Sequence, residues 1–165
     1  MFKIGDKVIY GKTGVCTVVD ICEKTFIKNQ KRAYYVLKPM GVDNNFIYAP
    51  IDGGKIFMRH LITKAQAVEL IDSIPDIVNR ISDSAEVTKE EYNEMINNHS
   101  LEDLVELTAI IYSKKLNVTR VKKRLNAIDE KYMKISENLL FGEFAEALGI
   151  SVDEVPGYIK ERIEK

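Results

Sequence analysis

The hydrophobic period of this chain changes once, near residue 62. Before that point apolar and β-branched residues come in short runs broken by turn residues; after it they recur three and four positions apart. A period of two builds strands and a period near 3.6 builds helices. The chain therefore divides into a β unit and a helical unit. No Gly-rich or Pro-rich linker marks the join. The boundary falls near 62–70, with a β unit over 1–62 and a helical unit over 63–165.

Strands are expected at Val8–Tyr10, Val15–Cys22, Ala33–Lys38, Phe46–Ala49 and Phe57–His60, joined by "GKTG", "KNQK", "GVDNN" and "DGG". Short strands at this spacing suggest a small barrel or strongly bent sheet. The helical unit opens with a helix over Ala65–Asp72, followed by an irregular connection or frayed helix, "IPDIVNRISDSAE". Thr88 with Glu91, and Ser151 with Glu154, have the spacing of capping boxes. Ser100, followed by Glu102 and Asp103, caps a helix running to about Lys114. Leu116-Asn117 is expected to break that helix. Asn117 would then cap the next, which runs to about Leu148 with Gly142 as a candidate kink. Along it Val121, Leu125, Ile128, Tyr132, Ile135 and Leu139 form one apolar stripe.

"GDKVIYGKTG" ends as a P-loop ends, yet its spacing is wrong. A P-loop has four residues between its first glycine and Gly-Lys-Thr/Ser; Gly5 and Gly11 enclose five. Those five include the strand-like Val8-Ile9-Tyr10, and "VCTVVDI" follows where a helix is required. The segment reads as strand, turn, strand, and no nucleotide or other cofactor is expected.

Catalytic constellations are equally missing from the sequence. His60 and His99 are the two histidines, and neither has metal spacing with a cysteine or with the other. Cys16 and Cys22 read as core or half-buried strand residues. No apolar run approaches 18 residues, and "MFKIGDKV" lacks the apolar core of a signal peptide. The expectation is a cytoplasmic, non-enzymatic chain with reduced thiols, no metal, no small-molecule ligand and no membrane.

The net charge of −1 conceals sorting. Residues 1–85 carry 12 Lys+Arg against 9 Asp+Glu, and residues 86–165 carry 12 against 16. Within the acidic half, "KKLNVTRVKKR" over 114–124 has six basic residues and no acidic one. On a helix starting at Asn117, Arg120, Lys123, Arg124, Lys131 and Lys134 share one side. That side is either a phosphate-facing ridge or a solvated helix face, and the charges alone leave both open.

With these pieces placed, the chain resembles the CarD family of bacterial transcription regulators. The resemblance rests on "FKIGDKVIYGKTGVCTVVDI", on "YYVLKP", on "IYAP" before "MRHLIT", and on about five helices in the second half. The opening pattern also occurs in the RNA-polymerase-interacting domain of transcription-repair coupling factor. The resemblance implies an α+β protein in which a Tudor-like β module docks on the RNA polymerase β subunit by strand addition, while an all-helical domain grips promoter DNA near the upstream edge of the bubble. Carried over by position, the polymerase-binding residues are Phe46, Ile47 and Tyr48 with Lys24 nearby. The DNA-facing residues are Thr88, Lys89, Lys114, Lys115, Arg120, Lys123, Arg124 and Lys131. The family places a tryptophan wedge at the start of a helix in the second domain. This chain has no tryptophan: Thr88 falls at that position, with Glu90 and Glu91 beside it and Tyr92 as the anchor tyrosine. Binding to duplex DNA by the free protein is expected to be weak and non-specific, because the helical half is net acidic and only the ridge is basic. A polymerase-bound adaptor whose helices hold another protein is the alternative.

Overall fold

The computed structural model describes residues 1–81 and 86–164. Two compact units emerge, Met1–Leu61 and Ile62–Lys165. The first is an antiparallel sheet and the second is helical, so the expected α+β class holds.

Strands β1 (Lys7–Tyr10), β2 (Gly14–Ile27), β3 (Gln30–Pro39), β4 (Ile47–Pro50) and β5 (Met58–His60) lie in the order β4-β3-β2-β1-β5. Gly11-Lys12-Thr13 is the β1–β2 turn. Gly11 has φ +46°, and a Cβ there would sit 2.7 Å from Ile56 Cγ2. Its N–H donates to the Phe57 carbonyl at 2.8 Å. The glycine serves a hairpin and a close approach of two segments.

β2 runs beyond its expected end at Cys22 to Ile27, and turns back through Lys28-Asn29 with Asn29 at φ +64°. The β2–β3 register shifts between Val18 and Asp20 and again between Lys24 and Ile27. Such bulges bend a sheet. One face encloses Val8, Tyr10, Cys16, Val18, Tyr35, Leu37 and Ala49. The half-exposed Cys22 and buried Cys16 match the expectation of core or half-buried thiols. Burial pushes the Cys16 thiol up to about 11, which keeps it protonated and unreactive at neutral pH.

The helical unit contains α1 (Lys64–Asp72), α2 (Ile74–Asn79), α3 (Lys89–Asn97), α4 (Leu101–Arg120), α5 (Ala127–Leu148), a 3₁₀ turn over Val152–Glu154, and α6 (Val155–Ile163). Pro75 has no N–H to extend the α1 ladder, so α2 begins as a separate segment. The expected irregular connection is thus helical over Ile74–Asn79, and its residues 82–85 lie outside the described ones. Thr88 Oγ1 accepts from Glu91 N–H at 3.2 Å, and Ser100 Oγ accepts from Asp103 N–H at 3.3 Å. The Ser151 N–H and hydroxyl both donate to Glu154 Oε1, at 3.1 and 2.9 Å.

The expected break at Leu116-Asn117 is corrected. α4 runs through both residues to Arg120, and Asn126, not Asn117, caps α5, accepting from Asp129 N–H at 2.8 Å. Leucine and asparagine each weaken a helix interior by well under about 1 kcal/mol. A buried row of Leu104, Leu107 and Ile111 on α4 easily overrides that. The helix ends where Lys122 takes φ +58°. There Lys122 N–H donates to the Thr119 carbonyl at 3.0 Å and Lys123 N–H to Val118 at 2.7 Å. This is a Schellman closure with lysine in the position usually held by glycine.

The expected stripe shifts accordingly. Tyr132 is buried and Leu125, Ile135 and Leu139 are partly buried against the same core, but Val121 and Ile128 are 63% and 47% exposed. The buried face of α5 instead runs through Asp129, Tyr132, Ser136, Leu140, Glu143 and Phe144. Three of these are polar, so an apolar pattern could not find them. Each has a hydrogen-bond use: Ser136 Oγ meets Thr108 Oγ1 at 3.1 Å, and Glu143 Oε2 accepts from Ile62 N–H at 3.0 Å. Among the described residues no buried side-chain N or O is left without a partner. Gly142 is buried within a continuous α5.

Candidate functional site

Each unit presents a candidate surface. On the sheet it is β4, which is an end strand. Ile47 packs against the β core, while Phe46 and Tyr48 are 49% and 40% exposed. Tyr48 pairs with Val36 and Pro50 with Tyr34, so Tyr48 and Tyr34 share the face opposite the core. The Phe26 ring, 60% exposed, reaches both: its centroid lies 5.2 Å from Tyr34 and 5.3 Å from Tyr48, edge to face. Lys24 lies on β2, two strands in from the edge, where it pairs with Arg32 of β3 and is exposed on this same face. Phe26 was invisible at first because the strand was expected to stop at Cys22. The run "EKTFI" ahead of the "KNQK" turn was the available signal.

In the helical unit, basic side chains converge on an open groove between the end of α4 and the start of α5. Lys115 comes from α4, Lys123 and Arg124 from the connection, and Lys131 and Lys134 from α5. Leu125 and Met133 supply apolar surface, and Glu130 and Glu137 interrupt the positive charge. The expected ridge on one helix is therefore corrected: three segments supply it, because the chain breaks at 121–126. Lys115 joins the group, whereas Arg120 ends α4 exposed and outside the groove lining. Clustered like charges repel, so this groove carries an electrostatic cost that a polyanion would relieve.

Lys114, one residue before Lys115, turns inward. Its Nζ donates to the Tyr92 hydroxyl at 2.9 Å and sits 3.6 Å from Asp129 Oδ1. The Tyr92 hydroxyl donates to Asp129 Oδ1 at 2.8 Å. Burial raises the Tyr92 pKa, and the Lys114 bond works against that rise. Burial alone would lower Lys114, but its contacts with Tyr92 and Asp129 outweigh it and hold the ammonium above its ordinary value. Tyr92, the anchor tyrosine by position, is fully buried and tied to two other helices. Thr88 and Lys89 open α3, exposed, with Glu90 and Glu91 in its first turn, and they do not line the groove.

Among the described residues no group of three or more His, Cys, Asp or Glu is placed to hold a metal, and no helix is long and apolar enough to cross a membrane. The first unit is a bent sheet with a short, aromatic-flanked end strand. Residues 2–62 match the family model of the CarD-like/TRCF RID domain, which supports an N-terminal domain of that kind. No curated protein matches the chain.

Proposed function

We propose that this protein is a cytoplasmic transcription regulator with two contacts. The β unit, residues 1–62, docks on the RNA polymerase β subunit by strand addition to β4, through Phe46, Ile47 and Tyr48. The helical unit, residues 63–165, touches promoter DNA through the groove of Lys115, Lys123, Arg124 and Lys131. The reading is supported by the match of residues 2–62 to the CarD-like/TRCF RID domain, together with an end strand β4 that has no second neighbouring strand among the described residues and is flanked by exposed aromatic rings. Phosphate contacts of this kind position a protein without reading sequence. The DNA contact is therefore non-specific, and weak in a unit whose net charge is negative. Thr88 and Lys89 stand where the family carries its wedge, and Thr88 has no ring to insert.

The test is co-purification of the full chain with RNA polymerase core enzyme, followed by promoter footprinting with and without the protein. Retention on the β subunit with added protection upstream of the bubble is expected. Failure to co-purify removes the reading. Co-purification with an unchanged footprint favours the adaptor reading, which has its own support. Asp76, Glu102, Asp103 and Glu106 gather beside Ile77 on a second groove, net acidic despite Arg80 in its lining and suited to a basic protein partner.

A further inference from the structure

β4 has one side facing β3 and one side with no neighbouring strand among the described residues. Which backbone groups face outward follows from the ladder. Ile51 N–H donates to the Ala33 carbonyl at 3.1 Å. The same register continues through Tyr35 opposite Ala49 and Leu37 opposite Ile47. Antiparallel pairs alternate between bonded and non-bonded. Ala33–Ile51, Tyr35–Ala49 and Leu37–Ile47 are thus the bonded pairs, and Tyr34–Pro50 and Val36–Tyr48 the others. In those others the N–H and C=O groups turn away from each other. For Val36 they turn toward β2; for Tyr48 they turn off the sheet. Pro50 turns out a carbonyl but has no N–H. Within β4, Tyr48 is the one residue that can both donate to and accept from an added strand.

We propose that the polymerase segment adds to β4 in a single register centred on Tyr48, and that its residue opposite Tyr48 carries an apolar side chain seated on the Tyr48 and Phe26 rings. This rests on the polymerase-docking reading above. The register and the seat are linked by geometry. The residue directly opposite Tyr48 projects to the same face as Tyr48, whichever direction the added strand runs. That face holds Phe26, 60% exposed, packed edge to face on Tyr48 and Tyr34. An apolar side chain there covers ring surface that is otherwise wet. The neighbouring partner positions project toward the opposite face, where Ile47 and Ala49 are already packed in the β core. One central anchor surrounded by less consequential contacts is the usual distribution of interface energy.

The test measures binding of full-length variants to RNA polymerase core enzyme. Tyr48→Pro removes the outward N–H, Tyr48→Ala removes only the ring, and Phe26→Ser removes the seat from an exposed position. Thermal melts report folding. Phe26→Ser and Tyr48→Ala are each expected to weaken binding about tenfold. Tyr48→Pro is expected to weaken it at least about tenfold further, the effect of one lost backbone bond in a desolvated ladder. Equal losses for Tyr48→Pro and Tyr48→Ala overturn the register. Wild-type affinity in Phe26→Ser overturns the seat, and that variant decides the matter if Tyr48→Pro fails to fold. Absence of binding by the wild-type protein is a different result, and removes the docking reading itself.

Discussion

Lys114 Nζ on α4 lies 3.6 Å from Asp129 Oδ1 on α5, and the Tyr92 hydroxyl of α3 bonds to both. Three helices thus meet at one polar cluster. Asp129 is buried, and the Lys114 ammonium is its ion-pair partner. Lys114→Met is expected to destabilise the protein by about 1–3 kcal/mol, below the range for a fully buried pair because Lys114 keeps some solvent contact. Lys114→Met/Asp129→Leu should recover much of that loss, since apolar pairs replace buried ion pairs well. Urea unfolding of the two variants checks both statements.

The same cluster sets a pH dependence. Lys114 and Tyr92 both titrate above their ordinary values of 10.5 and 10.0 in the folded chain. Folding therefore favours the protonated form of each. Their contribution is fully present below pH 10.0 and is lost as pH rises through the two raised values. With neither group left to titrate, the stability of Tyr92→Phe/Lys114→Met, followed by circular dichroism, should fall less steeply than that of the wild-type protein as pH rises above 10.0.

Salt dependence separates the inward lysine from the groove. With about three phosphates engaged, log K for duplex DNA should fall with log salt at a slope near −3. Lys123→Ala/Arg124→Ala should flatten that slope by about 2 units and weaken all sequences alike. Lys114→Met should leave the slope unchanged. A flatter slope in Lys114→Met would mean that its ammonium leaves Asp129 to meet phosphate.

Gly11→Ala forces a Cβ to within 2.7 Å of Ile56 Cγ2 at φ +46°. Strained left-handed backbone costs about 1–3 kcal/mol, and the steric contact adds to it. A thermal melt lowered by several degrees is expected. Lys12→Ala, on the exposed turn, should leave the melt unchanged, and an isothermal titration with magnesium-ATP should be flat for both it and the wild-type protein.

Thr88→Trp offers the ring that the family uses, but removes a cap. Thr88 Oγ1 no longer accepts from Glu91 N–H, which costs about 1 kcal/mol of helix stability. Open-complex decay on one promoter should nevertheless slow relative to wild type if the start of α3 reaches the bubble. An unchanged decay with polymerase still bound places α3 away from the DNA.

The β unit was legible because its turn residues are chemically explicit: glycine and asparagine at Gly11 and Asn29 answer to positive φ. The caps at Thr88, Ser100 and Ser151 were legible because each oxygen has a fixed distance to its N–H. The α4–α5 turn was hidden for the converse reason. Its left-handed residue is Lys122, and nothing in a lysine announces that conformation. Asp129, Ser136 and Glu143 were hidden because a buried polar residue is recognised by its partner, which lies on another helix. Lys114 and Lys115 look alike in sequence; a 100° rotation along α4 sends one to Asp129 and the other to the groove. The aromatic face was split over three strands, and only the register joins Phe26 to Tyr34 and Tyr48.

The brevity of β4 also matters when no partner is present. Any end strand is a template on which further copies of a protein can stack, and long, flat, apolar edges are where aggregation begins. β4 is four residues long and closes on Pro50. Two such edges meeting each other would share a single fully bonded residue apiece before proline ends the ladder. That is too little to hold a self-assembled sheet, so the strand stays open to a longer, better matched guest without inviting its own kind.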